Sequence, residues 1–125
     1  MNKPEIEENV GKALVAHSQW KVRLRHAVQT GQLPKPAKDI ACDDQCGLGL
    51  WISGSRKNSE LMGLQEFQAV AKAHSHFHKE AGRIAEMVER GNQSTASDEL
   101  DGPAYSKATD ALKTALISLR RLAQS

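Results

Sequence analysis

Five histidines and two cysteines are the side chains of this 125-residue sequence that are best suited to chemistry. Two of the histidines, His74 and His78, are separated by one helical turn. On a helix, this spacing places both imidazoles on one face, where a single metal ion can bind both. Metalloproteases use the same spacing in His-Glu-x-x-His, where the glutamate acts as general base. Ser75 stands at that position here, so the sequence argues against hydrolysis.

His17 and Cys46 can complete a set of four ligands. Apolar residues recur every three or four positions from Ile6 to Val28, which predicts an amphipathic helix with His17 on its buried face. Cys46 supplies a thiolate from a separate segment. Three imidazoles and one thiolate form a tetrahedral set that suits Zn²⁺, and four protein ligands leave no position for water or substrate. We therefore predict a structural or sensory zinc site, without catalytic activity, formed by His17, Cys46, His74 and His78.

The other histidines and the second cysteine are assigned no ligand role. His26 lies half a turn out of phase with His17, and His76 is out of phase with its own helix, so both are expected to face solvent. Cys42 is expected to be an ordinary thiol. Because it precedes Cys46 by one turn if the segment is helical, a role as redox partner of Cys46 is the alternative.

The elements that must position these residues are helices. We predict three long helices, one around residues 6–28, one around residues 64–88 with Ser59 as its N-cap, and one from residue 103 to residue 122. A short helix at residues 43–52 carries Cys46, and residues 92–100 are expected to form a loop or a frayed turn. The sequence thus predicts an all-α fold, a small antiparallel four-helix bundle that forms a single domain over residues 1–125.

Composition excludes several classes of function. The 17 basic and 15 acidic residues are interleaved and leave a net charge of only +2, which argues against nucleic-acid binding. Mean hydropathy is −0.53, and no apolar run approaches the roughly 20 residues of a membrane-spanning helix. The amino end lacks the apolar core of a secretory signal, so a cytoplasmic protein is expected. Two cysteines are too few for a disulfide scaffold.

Three short motifs carry a resemblance to a known family. They are His17-Ser18-Gln19-Trp20-Lys21, Cys46-Gly47-Leu48-Gly49-Leu50-Trp51 and His74-Ser75-His76-Phe77-His78. In that order they are similar to the H-x-x-W-K, C-x-[LF]-G-x-W and H-x-x-[FM]-H motifs of the chemoreceptor zinc-binding (CZB) domain family.

This resemblance implies a four-helix-bundle zinc sensor, usually a homodimer, that is attached to bacterial chemoreceptors or diguanylate cyclases. The motifs place His17, Cys46, His74 and His78 on the zinc-ligand positions of that family. The resemblance also implies a second input, in which oxidants such as hypochlorous acid modify the Cys46 thiolate. Since this sequence contains the bundle alone, we expect either a stand-alone member or one domain of a longer chain.

Two alternatives from other classes remain open at this stage. A hemerythrin-like bundle that binds a di-iron centre needs about five histidines together with bridging carboxylates. Only three histidines are in phase here, and no carboxylate accompanies them on a core stripe. The second alternative is a metal-free interaction bundle.

Overall fold

The computed structural model describes residues 2–124, and all regular secondary structure in that range is helical. The class predicted from the sequence, an all-α bundle, is confirmed. Three helices are long and four are short, rather than the three long and one short that we expected. They are α1 (Lys3–Thr30), α2 (Ala37–Ile40), α3 (Gly47–Gly54), α4 (Ser59–Met62), α5 (Gln65–Glu89), α6 (Gln93–Leu100) and α7 (Pro103–Gln124).

The ends of α1 follow from local sequence chemistry. The side chain of Asn2 accepts a hydrogen bond from the backbone N–H of Glu5, which satisfies one of the free donors of the first turn. At the other end, Gly31 adopts a left-handed φ of +76° and donates its N–H to the carbonyl of Ala27. A glycine adopts this conformation without steric cost, so the helix ends there.

Helices α1 and α5 run in the same direction. The ring of His17, midway along α1, meets the ring of Phe77, midway along α5, with 5.2 Å between the centroids. Near the end of α1, the carbonyl of Val28 accepts a hydrogen bond at 2.7 Å from the side-chain amide of Gln93, which follows shortly after the end of α5. The chain between α1 and α5 must therefore return along the bundle, and the segment that makes this return contains α2 and α3.

The expectation of a loop at residues 92–100 is wrong, because Gln93–Leu100 forms α6. Ala96 and Leu100, four residues apart, are both fully buried, and Arg25 of α1 bonds to Ser97 and to Asp101 at the polar edge. Two apolar positions in eight residues are too few for periodicity to distinguish a helix from a loop. Because α6 ends beside Arg25, near the end of α1, α7 starts there and runs back against α1 and α5.

Two other predicted boundaries are also corrected. The short helix predicted at residues 43–52 begins only at Gly47, with Cys46 as its N-cap in an extended conformation. Ser59 starts the separate helix α4, whose N-cap is Asn58, and α5 begins only after the extended residue Leu64. In both places the backbone leaves helical geometry where the sequence pattern alone favours its continuation.

Candidate metal centre

The structure brings all four predicted ligands together at one point in the core. Each offers one donor atom, and the four donor atoms lie within 4.8 Å of one another. The Cys46 Sγ atom lies 4.0, 3.2 and 3.7 Å from the Nε2 atoms of His17, His74 and His78 respectively. We call this set the His₃Cys cluster. Its donors come from three helices, with His17 on α1, Cys46 at the start of α3 and both other histidines on α5.

Helix α1 presents His17 in one orientation. Its Nδ1 donates to the carbonyl of Ala13, one turn earlier, at 2.8 Å. The lone pair of the neutral ring is therefore on Nε2, which faces Cys46. Burial lowers the pKa of His17 from 6.5 to about 4, so the imidazole is neutral at pH 7, as a metal ligand must be.

Helix α5 presents the other two imidazoles side by side. The rings of His74 and His78 stand nearly perpendicular, with 4.6 Å between their centroids. Burial, followed by repulsion from His78 and His17, lowers the pKa of His74 to about 3. Burial also lowers the pKa of His78, which donates from Nδ1 to the backbone carbonyl of Ile40 at 2.8 Å. Both rings are therefore neutral at pH 7 and offer Nε2 to the cluster.

Cys46 reaches the cluster because it is the N-cap of α3. The side chain of this half-buried residue accepts a hydrogen bond from the N–H of Gly49 at 3.4 Å, which satisfies one of the free donors in the first turn of α3. The chain turns tightly enough here that a Cβ atom on Gly49 would lie 1.8 Å from the carbonyl oxygen of Asp43. A glycine at position 49 is therefore required for the loop that precedes Cys46 to close over α3.

The geometry of the His₃Cys cluster fits a four-coordinate zinc ion. Tetrahedral zinc with usual bond lengths to sulfur and nitrogen separates those two ligand atoms by about 3.6 Å. The three observed sulfur–nitrogen distances, 3.2 to 4.0 Å, bracket this value. The cluster contains one thiol and no carboxylate, whereas a di-iron site needs bridging carboxylates. The residues therefore fit zinc and do not fit a di-iron centre, although their role as ligands remains a prediction.

The residues that were given no ligand role lie outside the cluster. His26 and His76 are exposed, as helical phase predicted. Cys42 is exposed as well, belongs to neither α2 nor α3, and donates from Sγ to the carbonyl of Lys38. Cys42 and Cys46 are both free thiols, and the helical spacing on which their proposed pairing depended is not present.

Two contacts that support the cluster were not found from the sequence. One is the Ile40 carbonyl that bonds to His78, and a backbone carbonyl carries no residue-type signal. The other ties α3 to α1, since Trp51 Nε1 donates to a carboxylate oxygen of Glu5 at 3.2 Å. Trp51 also meets the ring of Phe67 edge-on, which secures the far end of α3 against α5. Trp51, the tryptophan of the second motif, was the sequence signal from which the attachment of α3 could have been predicted.

Among the helices described between residues 2 and 124, not one is both long enough and apolar enough to cross a membrane.

Comparison with known proteins gives one match. A family model with the description "Chemoreceptor zinc-binding domain" matches residues 17–85, which is more than half of the chain. The matched region begins at the first residue of the His₃Cys cluster and includes the other three. Neither the comparison with curated proteins nor the comparison with solved structures found a match.

Proposed function

The chain belongs to the chemoreceptor zinc-binding domain family, and from this premise we propose that it is a non-catalytic regulatory domain of bacterial signalling that binds zinc through the His₃Cys cluster. Domains of this family are zinc-binding signalling domains. The observation that carries the proposal is the convergence of four donor atoms, from three separate helices, within 4.8 Å. A catalytic zinc site keeps one coordination position open, whereas this donor set fills all four.

The cluster can act as a sensor because its ligands belong to elements of unequal size. When bound, zinc supplies a positive charge that draws α1, α3 and α5 to one point. His17 and the two histidines of α5 stand on long helices that are packed along their length. Cys46 is the N-cap of α3, which has only eight residues and is otherwise attached through Trp51 and the buried Leu48. We therefore expect metal occupancy to change the position of α3 most, in a form that an attached chemoreceptor or diguanylate cyclase module can detect.

Metal analysis of the purified protein tests this proposal. After zinc loading and dialysis, the wild type should retain about one zinc per chain, because four protein ligands hold it. His74→Ala should lose it, while His76→Ala, two residues away on the exposed face, should retain it. About two iron ions per chain would instead support the hemerythrin-like alternative, and a chain that retains neither metal would support the metal-free bundle.

We propose Cys46 as the site that responds to oxidants. Its thiolate attacks hypochlorous acid, and the net products are the Cys46 sulfenic acid and chloride. The sulfur thereby loses its negative charge and becomes a weaker ligand. The support is chemical, since Cys46 is half-buried at a helix N-terminus, and it also comes from the family resemblance.

Stoichiometric oxidant and mass spectrometry test this second input. Zinc-loaded Cys42→Ser, which lacks the exposed competing thiol, should gain one oxygen on Cys46 and release zinc in proportion. If zinc affinity is unchanged after Cys46 has been oxidised, the oxidant response is excluded.

We further propose that the protein is a cytoplasmic homodimer that binds neither nucleic acid nor membranes. The family resemblance supports the dimer, and so does an open, largely apolar groove of about 800 Å³ between α5 and α7. Four alanines, Ala69, Ala73, Ala111 and Ala115, are among the residues that line it. Sedimentation velocity should show a dimer for the wild type and for Ala16→Arg, on the exposed face of α1, but a monomer for Ala111→Arg. A monomeric wild type would contradict the proposal.

A further inference from the structure

The hydrogen-bond partner that orients the imidazole of His78 lies on another helix. His17 bonds through Nδ1 to the carbonyl of Ala13 on the same helix, so its orientation follows from α1 alone. His78 bonds instead to the carbonyl of Ile40, at the end of α2, 2.8 Å away. A metal-binding histidine usually has such a partner on its second nitrogen, and the partner fixes both the tautomer and the ring orientation. The orientation of His78 therefore depends on where α2 lies.

Helix α2 is held against α5 at both of its ends. At its start, the N–H of Ala37 donates to a carboxylate oxygen of Glu89 at 2.9 Å. At its end, Ala41 rests on Gly82, one turn after His78 on α5. A Cβ atom on Gly82 would lie 2.5 Å from the Cβ and 2.8 Å from the Cα of Ala41. Any side chain at position 82 would therefore push α2, and the Ile40 carbonyl with it, away from α5.

We propose that Gly82 is a positioning residue of the metal centre. Because Gly82 has no side chain, Ala41 can pack close enough to α5 for the Ile40 carbonyl to accept the hydrogen bond from Nδ1 of His78. This hydrogen bond keeps Nε2 of His78 directed at the His₃Cys cluster. This inference rests on the proposed zinc site. Loss of such an outer partner typically weakens metal binding about 10-fold to 100-fold. Gly82 has no side chain and is not a member of the His₃Cys cluster, so we expect its effect on metal binding to pass through His78.

The test compares Gly82→Ala with Gly11→Ala, using zinc as the probe. Gly11 also lies within a helix, but a Cβ atom there meets nothing within 4 Å, so the control carries the same chemical change without a clash. Zinc affinity is measured by competition with a chromophoric chelator. Gly82→Ala should bind zinc about 10-fold or more weakly, and Gly11→Ala should match the wild type. Adding Ala41→Gly to Gly82→Ala removes one of the clashing atoms and should restore part of the affinity.

A second measurement follows the hydrogen bond directly, with and without zinc. In ¹⁵N nuclear magnetic resonance of the histidine rings, the protonated Nδ1 of His78 should shift or lose its exchange protection in Gly82→Ala. The Nδ1 signal of His17 should stay unchanged and serves as the internal control. A general loss of packing would move both signals, so this comparison separates a positioning role from a structural one.

Glu89→Ala gives a second perturbation of α2 should Gly82→Ala fail to fold. It removes the acceptor at the start of α2 and should weaken zinc binding about threefold or more. Glu86→Ala is its matched control, because the Glu86 carboxylate pairs with the exposed Arg90, the C-cap of α5, and among residues 2–124 makes no hydrogen bond to α2. If the wild type binds zinc but Gly82→Ala and Glu89→Ala bind it equally well, with the His78 signal unmoved, the inference is overturned while the zinc site stands. A wild type that binds no zinc overturns the proposed function and this inference together.

Discussion

Acid should destabilise the metal-free protein, because its core holds three neutral imidazoles. Burial lowers the pKa of His17 to about 4 and that of His74 to about 3, and it lowers the pKa of His78 as well. In the unfolded chain all three should titrate near 6.5. Between these values the unfolded state binds more protons than the folded state. The free energy of unfolding therefore rises with pH, and it is lost progressively as the pH falls below about 6.5.

The size of this loss follows from the proton linkage. At pH 5, an imidazole that titrates at 6.5 when unfolded and stays neutral when folded destabilises the fold by about 2 kcal/mol. His17 and His74 together therefore remove about 4 kcal/mol, and His78 acts in the same direction. Since small domains are stable by only about 5–15 kcal/mol, the metal-free protein should be close to unfolding at pH 5.

Urea unfolding from pH 7.5 to pH 5, with a chelator present, measures this dependence. His74→Gln removes one buried imidazole and should reduce the slope of unfolding free energy against pH by up to about 1.4 kcal/mol per unit. His26→Gln removes an exposed imidazole and is the matched control. A wild-type stability that is flat over this range would refute the reasoning. So would a His26→Gln slope that changes as much as that of His74→Gln.

Three further perturbations have defined outcomes. Free zinc at a thousandfold above its dissociation constant should raise the free energy of unfolding by about 4 kcal/mol. Thermal unfolding with zinc and with chelator measures this increase, and identical unfolding curves would contradict a metal that joins helices. Gly49→Ala should destabilise the fold by about 1–3 kcal/mol in urea unfolding, because the added Cβ atom would clash with the Asp43 carbonyl. Gly47→Ala is the control, because a Cβ atom at position 47 has no atom within 4 Å, and equal effects of the two variants would rule out the clash. Leu100→Ala should lower the free energy of unfolding by about 2–5 kcal/mol, because Leu100 of α6 is fully buried, whereas Leu50→Ala, at an exposed position, should lower it little. A small effect of Leu100→Ala would mean that α6 is not packed as described.

The long helices and the His₃Cys cluster could be predicted because their signals are periodic. Each of α1, α5 and α7 carries an apolar stripe over five or more turns, long enough for a helical period to exceed chance. His17, His74 and His78 lie on those stripes, which is why their burial could be predicted, and the structure confirms it. The exposure of His26 and His76 followed from the same phase.

Of the short helices, the sequence predicted only α3, and with too early a start, because tertiary contacts form these elements. Helix α2 has four residues, too few for an apolar period to be recognised, and Glu89 and Gly82 on α5 hold it in place. Helix α6 depends on Leu100 and Ala96, which are buried by helices distant in sequence. The sequence placed the start of α3 too early, because residues 43–46 form a turn that packs Asp43 against Gly49. Such a contact across a turn does not appear in the helix propensity of the individual residues.

X-ray absorption at the zinc edge, on protein loaded with one zinc per chain, tests the central claim most directly. The His₃Cys cluster predicts one sulfur at about 2.3 Å and three nitrogens at about 2.0–2.1 Å. Cys46→Ser should remove the sulfur shell, and Cys42→Ser should leave it in place. A zinc spectrum without sulfur in the wild type, or a sulfur shell that persists in Cys46→Ser, would contradict a zinc site formed by His17, Cys46, His74 and His78.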